Sequence, residues 1–217
     1  MMEQNPHLES IEDIKQLMHK SSRFISLSGL SGVAAGSCAL VAAWLAKNKI
    51  HQYQAEKGID SSGDKGSYVF RNGYQALEQQ LIIIAAITFV AALVLAFVFT
   101  YLRSRKTGVP IWGYTARRVM VNVAVPMAAG GLVIWRMIDV GFYGLVAPVS
   151  LIFYGLALIN ASKYTLTEIK YLGYGQLLLG IVNLWLPGYG IYFWAAGFGL
   201  LHIIYGIVMW NKYERNQ

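Results

Sequence analysis

His202, Gln176 and Asn183 are the polar side chains of this sequence best placed for chemistry, because each lies within a long apolar run. Gln176 and Asn183 are seven residues apart, two turns of a helix, and so share one face. His202 belongs to the next apolar run, and an imidazole there can relay protons. The same three groups can equally act as hydrogen-bond glue between helices, worth about 0.6 kcal/mol each on average. Proton-coupled transport commonly needs an intramembrane carboxylate, and none accompanies His202, so glue carries more weight. Arg136 and Asp139 sit three apart and form a candidate ion pair across one helical turn.

Other reactive chemistry is poorly represented. His7, His19, His51 and His202 include no pair at ligand spacing and no HExxH, so no metal site is expected. Cys38 is the single cysteine, which excludes an intramolecular disulfide and a thiolate cluster. Ser21, Ser22, Ser26, Ser28 and Ser31 crowd together without a paired base and read as helix caps and packing residues. GxSxG, Walker and dinucleotide patterns are missing. The expectation is a protein that is not an enzyme and carries no cofactor.

The elements that hold these residues are apolar helices. Hydrophobic residues make up 56% of the chain and charged ones 13%, against roughly 25% charged in soluble domains. Charge vanishes from windows about as long as the roughly 20 residues that cross a hydrocarbon core. These windows predict an all-α integral membrane bundle of six transmembrane helices, at 24–46, 81–102, 119–135, 140–161, 171–186 and 189–210. Pro187-Gly188 separates the last two. Trp44, Trp112, Trp135, Trp185, Trp194 and Trp210 all fall near the ends of these windows, where indole suits the headgroup region. Pro126 and Pro148 are expected to kink the third and fourth spans.

Residues 1–23 read as an N-terminal amphipathic helix. Leu8, Ile11, Ile14, Leu17 and Met18 recur at helical spacing after a Ser10/Asp13 capping pattern. Residues 47–80 form a polar loop and 211–217 a short tail. The formal charge is +7, and an even number of spans places both termini on one side. That side holds twelve of the eighteen Lys and Arg, so it is expected to be cytoplasmic. Arg103, Arg105, Lys106, Arg117 and Arg118 are candidate contacts for anionic lipid headgroups or for a partner. They lack a stacking platform, so nucleic acid is not expected.

Without a hydrophobic drive between helices in lipid, small residues mark the contacts. Gly32 and Gly36 form a GxxxG in the first span. Five internal neighbours are available to that span, which favours packing within the bundle over a homo-oligomer seam. Gly173 and Gly180, and likewise Gly190 and Gly197, are seven apart and are expected to pack the last two spans on each other.

The segments 21–32 (SSRFISLSGLSG), 115–118 (TARR), 154–166 (YGLALINASKYTL) and 197–213 resemble an uncharacterised family of small multi-span inner-membrane proteins from Bacteroidota. The resemblance implies a bacterial inner membrane. Genes of that family often neighbour a small winged-helix regulator, which implies a cytoplasmic regulatory partner. The family supplies no activity and no site residues. The leading functional expectation is a membrane scaffold or signalling partner of a cytoplasmic protein. The alternative is a small-solute transporter or channel built on Gln176, Asn183 and His202.

Overall fold

A computed structural model describes residues 28–57, 75–108 and 111–215. The expected amphipathic helix at 1–23 and most of the 47–80 loop lie outside the described residues. Within them, six helices and no strand occur. The helices are α1 (Gly29–Lys57), α2 (Gln75–Thr107), α3 (Tyr114–Val140), α4 (Val146–Ala161), α5 (Glu168–Leu184) and α6 (Gly190–Tyr213). A single 3-10 turn, Tyr143–Leu145, leads into α4. The segment Ala195–Leu201 of α6 is π-helical.

Five of the helical segments are long and apolar enough to cross a membrane, α4 being counted with its leading 3-10 turn as Tyr143–Ala161, which makes the chain a multi-pass membrane bundle. The exception is α5, whose 17 residues span about 25 Å at 1.5 Å per residue. That is short of the roughly 30 Å hydrocarbon core. The expected six spans thus correspond to six helices, one of them below membrane-crossing length. The first two helices also run well past their apolar windows, to Lys57 and back to Gln75.

The ends of the elements follow from local chemistry. Gly141 closes α3 in the left-handed region (φ 90°) and returns its N–H to Ile138 O and Met137 O. Gly188 also takes the left-handed region, in the turn before α6 (φ 85°). Only glycine adopts these values without strain. Pro126 lies inside α3 as expected. Pro148, expected to kink a span, instead falls in the first turn of α4. A missing N–H breaks no bond there, because first-turn donors have no intrahelical partner.

Packing centres on α4 and α6. Helix α4 lies along α5 and also holds α3, while α1 lies between α2 and α6. Glycine decides how close these helices come. A Cβ placed on Gly36 would stand 2.6 Å from Gly199 O, and one on Gly206 2.5 Å from Gly29 O. The GxxxG of α1 is therefore filled by α6 of the same chain. The fate of the other small faces corrects the expectation. Gly173 and Gly180 do not face α6. They press on α4, where added Cβ atoms would lie 2.9 Å from Gly155 O and Pro148 O. Gly190 and Gly197 meet α4 at Ala147 and Leu151, and Gly197 also meets Gln176 of α5, so the expected contact between the last two helices is kept there. Leu151 of α4 is fully buried and meets α6 at Gly197.

The outer surface is apolar. Ile83, Ile87, Phe89, Val90, Leu93, Val94 and Phe97 of α2 are all exposed, a patch far too large for a surface in water. Trp135 and Trp185, 72% and 73% exposed, rim one end of the bundle with Trp44. Trp112 and Trp210 rim the other.

Gly36→Ala should destabilise the folded monomer, because the obstructing atom is backbone and overpacking costs about 1–3 kcal/mol. Gly131→Ala, with open space around it, should be neutral or mildly stabilising. Thermal unfolding in detergent of both variants checks this. A Gly36→Ala protein as stable as wild type would contradict the assigned contact.

Candidate functional site

The π-helical stretch of α6 creates the most polar point in the interior. A π turn widens the helix and leaves backbone groups without their usual partners. Gly197 O accepts from Gln176 Nε2 of α5 at 2.8 Å and lies 3.1 Å from His202 Nδ1. His202 Nε2 is 2.8 Å from Tyr154 Oη of α4. A bare Nδ1 would set two lone pairs against each other at Gly197 O. The consistent tautomer carries its proton on Nδ1, donates to Gly197 O, and accepts from the Tyr154 hydroxyl at Nε2. Phe198 stacks with His202 at 6.1 Å between ring centroids and lies tilted against Tyr154 at 5.0 Å.

Of the three residues singled out in the sequence, two meet. Gln176 Nε2 and His202 Nδ1 lie 3.4 Å apart. Asn183 is just as buried, but its Nδ2 donates to Leu186 O at 3.2 Å and finishes its own helix. Tyr154 and the Gly197 carbonyl were not singled out for the cluster. A tyrosine in an apolar run gives no signal, and Gly197 was read only as a small packing residue. Elsewhere Asn160 Nδ2 donates to Asn122 O at 3.2 Å and ties α4 to α3.

A second constellation lies at the end of the bundle where α1 begins. Glu214, just beyond α6, accepts from Arg103 Nη1 at 2.8 Å, from Ser28 Oγ at 3.1 Å and from the Gly29 backbone N–H. One carboxylate thus joins the end of α2, the start of α1 and the end of α6, and it answers the positive end of the α1 dipole. The pair is 9% and 13% exposed, so Arg103 is a structural partner of Glu214 and not part of the surface. Beside it, Glu168 Oε1 accepts from Lys212 Nζ and, at 2.9 Å, from Tyr213 Oη. Partial burial pushes the Glu168 carboxyl up, but the hydrogen bonds from Lys212 and Tyr213 outweigh it and hold the group below its ordinary range.

Arg105, Lys106, Arg117 and Arg118 are exposed at this same end. Arg118 lies over the Tyr114 ring at 4.4 Å and Arg105 over Tyr101 at 5.3 Å. Lys163, Lys170, Lys212 and Arg215 are exposed there too. At the opposite end Arg136 and Asp139 form their ion pair, 74% and 57% exposed. An exposed pair of this kind is worth about 0–1 kcal/mol. It borders an open groove of about 440 Å³ between α2 and α3, lined by Glu78, Ile82, Gly131 and Ile134. Tyr143 Oη donates to Glu78 Oε2 at 2.6 Å across that end. Among the described residues, no three His, Cys, Asp or Glu side chains come together as a metal site.

Comparison with protein-family models, curated proteins and solved structures returned no match.

The lowered value of Glu168 fixes a sign. Its folded carboxyl titrates below the ordinary 4.5, so its ion pair stabilises fully above that value. The contribution should fade as pH falls through the lower folded value. Melting temperature of wild type should therefore drop more steeply below about pH 4.5 than that of Glu168→Gln. Parallel curves would show that the pair contributes nothing.

Proposed function

We propose that this protein is a non-enzymatic membrane module whose basic end is cytoplasmic, together with both termini, and holds or signals to a cytosolic protein with an acidic surface. The observation that supports this reading is a charge imbalance. Glu168 and Glu214 are the described carboxylates at that end, and both are engaged in internal pairs. Exposed Arg105, Lys106, Arg117, Arg118, Lys163 and Lys170 surround them. Such a face attracts acidic partners at long range and weakens with salt. Inside the bundle, Gln176 and Tyr154 reach α6 through helix-to-helix hydrogen bonds, which supports the same reading.

Crosslinking in native membranes, followed by mass spectrometry of the purified protein, checks the proposal. A stoichiometric cytosolic protein should accompany wild type and be lost from the double variant Arg117→Glu and Arg118→Glu. A partner retained by that variant, or no partner, would contradict it.

A second reading, a small-solute transporter, draws support from the meeting of Gln176, Tyr154 and His202 between three helices. It predicts that His202→Ala abolishes a solute flux in proteoliposomes while expression and folding persist. Normal flux in that variant would remove the cluster from any transport mechanism.

A further inference from the structure

Helices α2 and α3 are neighbours that scarcely touch, because α2 rests on α1 and α3 on α4. The open groove between them holds about 440 Å³, within the roughly 300–1,000 Å³ of small-ligand clefts. Its floor is apolar, formed by Ile82 of α2 and by Gly131, Ile134 and Ile138 of α3. A Cβ built on Gly131 meets nothing within 4 Å, so the groove is open there down to the backbone. Its mouth is charged, with Glu78 and Asp139 in the wall. Gly131 lies eight residues before Asp139 in α3, about 12 Å further along the helix by its rise. The groove therefore runs from the charged rim into the apolar layer.

Each charged group at the mouth is held in place and keeps binding capacity. Tyr143 Oη, in the turn between α3 and α4, donates to Glu78 Oε2 at 2.6 Å and fixes that carboxylate across the mouth. Asp139 Oδ2 accepts from Arg136 Nη1, which keeps the guanidinium at the edge. Glu78 Oε1 and Asp139 Oδ1 accept no hydrogen bond among the described residues. Arg136 keeps most of its N–H donors for another acceptor.

We propose that this groove binds a phospholipid with a primary ammonium headgroup, of the phosphatidylethanolamine class, in the leaflet opposite the basic end. The order of groups in the groove matches their order in that lipid. An ammonium brings N–H donors to the two carboxylates, as a lysine does. The neighbouring phosphate suits the Arg136 guanidinium, whose planar fork pairs with phosphate oxygens. One acyl chain lies along Ile82, Ile134 and Ile138, over the bare backbone at Gly131, with Trp135 at headgroup level. Two carboxylates against one guanidinium leave the mouth net negative, which disfavours a purely anionic headgroup such as phosphatidylglycerol. A quaternary ammonium lacks N–H donors, so phosphatidylcholine gives neither carboxylate a hydrogen bond. The site lies at the other end of the bundle from the basic face and does not depend on that reading.

Full-length protein is placed in nanodiscs holding equal parts of phosphatidylethanolamine, phosphatidylglycerol and phosphatidylcholine, then released into mild detergent. Native mass spectrometry reads the lipids it keeps. Wild type should keep one phosphatidylethanolamine, enriched several-fold over the other two. Gly131→Leu, whose side chain enters open space, should lose it with no fall in melting temperature. Glu78→Gln retains an acceptor for Tyr143 and removes the charge, so its enrichment should fall several-fold. Equal retention of the three lipids, or unchanged retention in either variant, would overturn the site. So would a wild type without lipid, whether the groove is filled by a second copy, seen as a dimer, or by the chain's own residues. Should Gly131→Leu fail to fold, the comparison with Glu78→Gln decides alone.

Discussion

Backbone-to-backbone approach through glycine is the constraint on which this bundle depends. Lipid gives helices no reason to associate by hiding apolar surface, so van der Waals contact and hydrogen bonding must do it. Gly29 and Gly36 of α1 lie against Gly206 and Gly199 of α6, and Gly155 of α4 lies against Gly173 of α5. These contacts bring carbonyls of one helix onto the Cα of the next. They also meet α6 where it departs from regular geometry. Its Gly197 faces α4 and α5 and its Gly199 faces α1, and both glycines lie within the π-helical stretch. The Gly197 carbonyl within that turn is the acceptor on which Gln176 and His202 converge. The polar cluster is thus a consequence of how α6 is packed, and its position follows from the glycines.

The clasp at the basic end serves the same architecture by other means. Helix α2 buries little of itself and rests chiefly on α1. Its attachment is reinforced where Arg103 meets Glu214, a contact between residues 111 positions apart in the chain. A largely buried pair owes its retention to its hydrogen bonds as much as to its charge, since removing one partner leaves the other ion stranded. Glu214 is well supplied, with Ser28, Gly29 and Arg103 around it. The carboxylate also withdraws negative charge from the surface, which leaves the exposed cations of that end to set its field.

Much of this arrangement was legible in the residues. Long charge-free windows locate helices because a single segment satisfies its own backbone in lipid only as a helix. The tryptophans mark the ends for an equally local reason. The Arg136–Asp139 pair followed from spacing alone. What escaped was whatever depends on which helices touch. Gly173 and Gly180 announce a close neighbour without naming it, and the neighbour proved to be α4. Arg103 reads as one more basic surface residue, because nothing in its surroundings in the chain points to Glu214. Asn183 shares a helical face with Gln176, yet two turns of rise separate them, so a shared face did not become a shared site. Tyr154 entered the cluster through a fold contact that no pattern in its own segment foretells.

The central structural claim is that α6 returns to pack against α1 inside one chain. Lys47 Nζ lies 5.1 Å from the centre of the Tyr192 ring, joining the second half of α1 to the start of α6. The most direct measurement replaces both with cysteine (Lys47→Cys and Tyr192→Cys) in a Cys38→Ser background and applies a short bifunctional maleimide in native membranes. The account predicts efficient crosslinking within a single chain, seen as a monomer whose two halves stay joined after cleavage between the helices. Crosslinks formed only between two copies, or none at all, would contradict it.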